Sequence, residues 1–552
     1  MKKLSAILLS AVILSSLTSS AFADEWNYYD YNDDYDSYSD DYTDSYDDYN
    51  SDYNNGYTND DTLNDRYNYI EQTTVPVKEE IPKKPSALKA VKTFKANKTL
   101  SGTQVKSSAD NECAVLNKGA KQLLLDGVKI TSNGALSYGE SYAKYYGLGS
   151  ALLTTNGTTY VKNGGLICTA DFGSAVFSYS KGTAFLAGTK ISSEKNSYGV
   201  AVAGGEVYGY NLNINAKGNA TAINGSNGGK IILDGGKITD SANSVVINAN
   251  ANIALHDIDL TAEKSAIADV SGKNTLSFFE CNLNSAMKGS SAYAFAIQNS
   301  VEKSGLNIVD CTLTNKKGGV FLVDNAKAAI VLSNTKISYS KSNDYLLNCE
   351  GASDCSFTAD NQKISGKILR EPNSKLNVYL KNKSSFSGKI QLNNVNSYDE
   401  KKCNVYIDAN STWVVTGNST VSTIYNKGKI TDKDGNVVSI KALDGTQYAQ
   451  GKSKYTVTVE NYLEKESKKG FAKTPAWSDN SKKAPEVLGL KTEIKSNETI
   501  DNTQPSSTKK SNNSKEKTLN INQYYLYIGI ILVAVIILVV VYIFTLRRKK
   551  SQ

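Results

Sequence analysis

The chain has 552 residues, too many for one ordinary globular core, so several domains or one elongated repeat array must be considered. It is polar, with 40 glycines and seven prolines, and its net charge of +7 hides a segregation: residues 24–69 hold 15 acids against Arg66 alone, leaving a basic body. An α-solenoid, which needs runs of Ala, Leu and Glu, and an arginine-rich nucleic-acid binder are both disfavoured by that composition.

Residues 1–23 open with Lys2 and Lys3, pass through an apolar stretch too short to span a bilayer and end in Ala21-Phe22-Ala23. That is the pattern of a signal peptide cut before Asp24, placing the remainder outside the cytoplasm; an uncleaved anchor is the alternative. Residues 24–75 have almost no aliphatic side chains and repel one another by charge, so disorder is the expectation. Tyr31, Tyr35, Tyr38, Tyr42, Tyr46, Tyr49, Tyr53 and Tyr57 step by three or four. They would align on one helical stripe if calcium, acid or a cationic partner neutralised the carboxylates, although repeat slippage leaves the same spacing. Residues 76–96, with Pro76, Pro82 and Pro85, read as a stiffened linker.

Prolines then cease from Ser86 to Glu371 and a short pattern takes over. Ile130, Ile167, Ile191, Ile214, Ile238, Leu260, Leu283, Leu313 and Ile337 form an anchor column, and the residue before each is polar in eight of nine cases, Leu166 being the exception. Such alternation marks a strand with one face in and one face out. A second apolar point follows nine residues later at Val176, Val200, Ile223 and Ile247, while Gly-Gly pairs at 164, 204, 228 and 235 fall at corners. A unit of about two dozen residues cannot bury its own apolar side and must stack on its neighbours. The expected fold is an all-β, right-handed parallel β-helix over residues 97–460, a rod of about 60 Å if some thirteen coils stack at strand spacing.

Two intervals are long, 37 residues from Ile130 to Ile167 and 30 from Leu283 to Leu313. A solenoid extrudes such excess as loops, often on a binding side. The first carries Tyr138, Tyr142, Tyr145 and Tyr146, rings suited to stacking on sugars if exposed; the other reading is a loop folded back as an N-terminal cap. Lys129, Lys190, Lys237 and Lys336 precede their anchors and share one outward column, interrupted by Asn213, Asp259, Asn282 and Thr312. This column could hold an extended polyanion such as polyuronate or teichoic acid, with solvated lysines as the plain alternative. Nucleic acid is disfavoured, since no aromatic residues interleave the column.

Of the seven cysteines, Cys281 and Cys311 lie two residues before their anchors on consecutive rungs, near enough for a disulfide or for two buried thiols. Cys349 and Cys355 bracket a short loop and are the better disulfide pair in an oxidising exterior. Residues 461–523, rich in Lys, Ser, Asn and Thr, read as a disordered tether. Leu526 to Leu546 is uncharged and long enough to span a bilayer, with Tyr524, Tyr525 and Tyr527 at one end and Arg547, Arg548, Lys549 and Lys550 at the other. Residues 524–546 are therefore expected to cross the membrane and 547–552 to form a cytoplasmic basic tail.

The stretch TWVVTGNSTVSTIYNKGKI, from Thr412 to Ile430, carries a Trp413-x-Val-Thr-Gly-x-Ser-x-Val frame. With the rungs before it, from about Asn97 to Glu460, it resembles the closing rungs of bacterial parallel β-helix surface proteins. That group includes autotransporter-like adhesins and carbohydrate-binding members of the pectate-lyase-like superfamily. The resemblance implies a cell-surface context and an acidic, uronate-rich polysaccharide or envelope glycan as ligand, in some members with calcium; it transfers no binding residue. Because lyases and hydrolases share the fold, a polyuronate-cleaving enzyme is the competing expectation, and a structural envelope protein a third. The folded region offers one arginine, Arg370, and one histidine, His256, and its acids are scattered singly. No catalytic residue is assigned, and a binding role with no cofactor is preferred, with calcium as the one metal that the resemblance allows. Asp432 to Asn436 has the composition of a calcium loop but reads better as a hairpin turn.

Overall fold

The computed structural model describes residues 81–287, 293–340, 345–393, 402–467 and 470–490. The signal peptide, the acidic arm and the membrane span expected above lie outside these residues. Among the described residues no helix is long and apolar enough to cross a membrane.

The alternating side chains build a parallel β-solenoid of about 13 turns. Successive coils pair in parallel, so that each strand lies on its counterpart one period later and three sheets run along the rod. Val176, Val200, Ile223 and Ile247 are register partners in the first sheet. Phe185, Tyr208, Ile232 and Ala254 are partners in the second. In the third, Ile191, Ile214, Ile238, Leu260, Leu283, Leu313 and Ile337 form an unbroken ladder, as their spacing requires. The interior between the sheets is aliphatic toward the N-terminus and aromatic toward the C-terminus. There Phe278, Phe295, Phe321 and Phe357 follow one another at ring separations of 5.8–6.0 Å, and Phe386 lies against Trp413. Each such buried side chain contributes roughly 1.5–3 kcal/mol relative to exposure.

One member of the anchor column is corrected. Ile130 pairs with Leu166, and Leu166 with Ile191, so Leu166 is the inward residue and Ile167 points out. The ladder decides this: Leu166 and Cys168 are both fully buried on alternate positions, which leaves Ile167 on the solvent side. The exception in the outward column thereby disappears, because Gly165 now occupies it.

Each coil turns into the third sheet through one residue with left-handed backbone geometry. Gly127, Asn163, Gly188, Asn211, Gly235, Asp257, Glu280, Asp310 and Asn334 have φ between 44° and 71°, and each stands two residues before the first outward position of that sheet. Glycine or asparagine fills six of these nine positions, as expected for residues that tolerate this conformation. The inward residue just after the corner is where Cys281 and Cys311 sit, and the chain makes a second ladder there. Cys311 Sγ accepts the Cys281 N–H at 3.3 Å, Thr335 Oγ1 accepts the Cys311 N–H at 3.3 Å, and Gln362 Oε1 accepts the Thr335 N–H at 2.7 Å. Cys311 is thus a buried acceptor closing a backbone donor that the sheet does not satisfy, while the Cys281 thiol donates to the Leu255 and Phe279 carbonyls. All seven cysteines are free and buried, Cys349 and Cys355 included, so neither expected disulfide is formed in this structure. Burial pushes the Cys113 and Cys168 thiols up to about 12.

A small four-stranded sheet, including the antiparallel pair Ser439–Ala442 and Gln447–Ala449, lies at the C-terminal end of the rod. The turn before it is the expected hairpin: Asp432 Oδ1 accepts the N–H groups of Asp434 and Asn436, and Gly435 takes the left-handed position.

Asp240 ends its strand pointing inward, fully buried, with Oδ1 accepting the Ala242 N–H at 2.8 Å and no hydrogen-bond partner on Oδ2. Burial pushes its carboxyl up to about 7. The folded pKa lies above the unfolded one, so Asp240 favours folding at low pH and that stability is lost as pH rises toward 7. Asp240→Asn is expected to raise stability above neutral pH, by about 4 kcal/mol at most, and to give little gain near pH 4. Calorimetry of both proteins across that range checks the prediction.

Candidate functional site

The lysine column exists as its spacing implies. Lys129, Gly165, Lys190, Asn213, Lys237, Asp259, Asn282, Thr312 and Lys336 are successive register partners on the outward side of the third sheet. All four lysines are exposed, and among the described residues none of them is in an ion pair. The structure separates them into a group and an outlier. Lys129, Lys190 and Lys237 alternate with Gly165 and Asn213, whereas Lys336 stands beyond Asp259, Asn282 and Thr312. Asp259 is a like charge to any anion and marks the end of the basic run.

Between Lys129 and Lys190 the face is notched. Gly165 has no side chain, Gly164 and Gly188 flank it, and the outward Ile167 supplies an apolar floor, forming an open groove of about 560 Å³ that extends to Asn213 and Asn215. The glycine pair therefore has a second consequence besides the corner: it exposes backbone and ring-sized apolar surface beside two cations. Sequence reading missed this groove because it set Ile167 inside.

The four tyrosines of the first insertion are elsewhere. Glu140–Tyr146 forms a short helix, ended by Gly147 in the left-handed conformation, and it packs on the first sheet against Ser174–Ala187 and Tyr198–Ala203. Tyr145 and Tyr146 are buried, and Tyr146 donates its hydroxyl proton to the Pro82 carbonyl. Tyr142 is half-buried between Tyr138 and Tyr146, so Tyr138, 58% exposed, is the one ring of the four open to a ligand. The insertion folds back, as one of its two readings held, yet it covers a side face rather than an end. Apolar outward residues Leu153 and Phe177 lie beneath it and explain why.

The second sheet carries a feature that composition concealed. Its outward column runs Tyr160, Phe185, Tyr208, Ile232 and Ala254 near the N-terminal end and Tyr379, Tyr406 and Tyr425 near the other, with rings stacked on successive coils 4.5–5.6 Å apart. Residues 470–490, inside the stretch expected to be a free tether, lie along this column as a strap. Phe471 packs edge-on against Tyr379 and Tyr406. Lys381 bridges Asp360 at 3.0 Å and the Ala472 carbonyl at 3.0 Å, and Thr474 donates to Asp360. Trp477 stacks on His256 with ring centroids 4.6 Å apart and planes 7° from parallel. Farther on, Tyr210 donates to the Lys482 carbonyl at 2.8 Å, and Leu488 is buried among the N-terminal aromatics. From Phe471 to Leu488 the strap passes ten ladder steps, about 48 Å, with short 3-10 turns at Trp477–Asp479 and Glu486–Leu488.

His256 is a satisfied rung histidine, held by Asp234 at 2.7 Å and Glu280 at 3.6 Å. Burial opposes its charged form, but the hydrogen bond and charge of Asp234 and the Glu280 carboxylate outweigh that, so it titrates above its ordinary range. When protonated, the ring beneath Trp477 adds a cation–π contact to the stack. Arg370 is also internal: it is 3% exposed and donates to the carbonyls of Ser374 and Pro372. Among the described residues no group of three or more His, Cys, Asp or Glu side chains is placed to hold a metal ion. Comparison with protein-family models and with curated proteins finds no match.

Trp477→Ala removes the central grip on the strap while leaving the coils intact. Cleavage by trypsin after Lys473, Lys482 or Lys483 is expected to quicken about tenfold, the population change for a lost contact of 1–2 kcal/mol, with the far-ultraviolet spectrum unchanged. Mass spectrometry of timed digests checks it.

Proposed function

We propose that this protein is a membrane-anchored cell-surface adhesin or carbohydrate-binding β-helix whose lysine face holds acidic polysaccharide. The observation that supports this best is the exposed run Lys129, Lys190 and Lys237 beside a groove floored by Ile167. Extended anionic glycans need repeated cations along one line and an apolar patch for the sugar ring, and this face offers both. It is also the sheet side that neither the insertion helix nor the strap covers. Binding is expected to weaken steeply with salt, because exposed pairs are screened. In fluorescence anisotropy with the full-length chain in detergent, the triple variant Lys129→Ala, Lys190→Ala, Lys237→Ala is expected to lose at least tenfold in affinity for a labelled uronate oligosaccharide. Unchanged affinity in that variant would reject the site.

The strap bears on how such a rod would be displayed. It returns the chain to the N-terminal coils before the segment that leads to the expected span, so the tether departs there and the C-terminal hairpin around Leu443 faces away from the membrane. An antibody to a tag inserted at Gly445 is then expected to reach its epitope farther from the bilayer than one to a tag at Asn97. Immunogold distances in the reverse order would contradict this polarity.

A further inference from the structure

The lysine face has a second outward column, and its chemistry differs from the first. Thr131, Ile167, Ser192, Asn215 and Thr239 are its successive register partners, each two residues along from a member of the lysine column. From Thr131 to Thr239 this column has no charge, and it offers hydroxyls and amides around one isoleucine. From Thr131 to Thr239 cations therefore stand on one side alone, and only on every second coil, with Lys106 of the second column one coil before Thr131: two ladder steps, about 9.6 Å, separate Lys129 from Lys190 and Lys190 from Lys237.

One pyranose of an extended β-linked glycan advances the chain by roughly one strand spacing. In a two-fold chain, successive sugars turn opposite edges to the same side. A glycan laid along the rod axis thus presents the same edge to the lysine column once every two coils, and the intervening sugar turns that edge to the uncharged column. Were every sugar a uronate, the intervening carboxylates would meet Ile167 and Asn215, with no cation to receive them. Burying an anion against those groups is costly, whereas an acetamido or hydroxyl group there finds hydrogen-bond partners and an apolar contact.

We infer that the ligand of this face is an extended acidic polysaccharide in which a uronate alternates with a neutral sugar, lying across the strands from Lys129 to Lys237. This rests on the polyanion reading of the face and narrows it. Asp259 sets the limit of the site in one direction, so a hexasaccharide carrying three carboxylates fills it.

Two probes of equal length test the inference on the full-length chain: a β-linked hexasaccharide alternating glucuronate with N-acetylglucosamine, and a β-1,4-linked hexamannuronate. The natural chain is expected to prefer the alternating probe by roughly fivefold although it carries half the charge. Ile167→Lys places a cation in the uncharged column at an outward position, and is expected to raise affinity for the hexamannuronate and abolish the preference. Asn215→Lys, one coil on, provides the same readout if the first variant folds poorly. Equal or tighter binding of the hexamannuronate to the natural chain would overturn the alternation while leaving a polyanion site in place. Binding of neither probe would overturn both.

Discussion

A parallel solenoid must turn the same corner once per coil, and in this rod the corner into the third sheet depends on one residue with positive φ. From Gly127 to Asn334 that position recurs in every coil, two residues ahead of the outward column. Its conformation sets which of the following side chains point inward. A single-residue slip there would send the whole strand to the wrong side, since side chains alternate with period two. Stacking, the buried ladder of Cys281, Cys311, Thr335 and Gln362, and the lysine column all inherit their phase from it.

This constraint explains which parts of the fold were legible in the sequence. The Ile and Leu anchors and the second apolar column could be read because burial at 22- to 24-residue intervals leaves few alternatives. The phase at Leu166 and Ile167 could not be read from hydrophobicity, as both residues are aliphatic; the corner at Asn163 decides it, and asparagine is a less obvious corner marker than glycine. Cys281 and Cys311 were correctly set on consecutive rungs. The role of Cys311 as acceptor of the preceding coil's N–H depends on corner geometry that spacing does not convey.

The exterior was harder to read than the interior. Two of the three sheets carry aromatic or aliphatic residues on their outward sides, and each is covered by a segment from outside the repeat: the helix Glu140–Tyr146 on one and residues 470–490 on the other. The tyrosines at 145 and 146 follow from this, since they are covering material and not a free platform. The strap lay in a stretch whose Lys, Ser and Asn content implied a tether, and its few large apolar side chains, Phe471, Trp477, Val487 and Leu488, are the signal that composition averages out. The third sheet needs no cover because its outward residues, Ile167 apart, are polar or glycine. Lysines, hydroxyls and amides are left facing solvent there, beside a notch made by glycine.

Function on this reading is a property of the face that folding leaves over. A structure of the full-length chain with an acidic oligosaccharide bound tests that most directly. The sugar chain is expected to run parallel to the rod axis over Lys129, Lys190 and Lys237, with a ring above Ile167. A glycan lying against Tyr138, or on the second sheet in place of the strap, would contradict it.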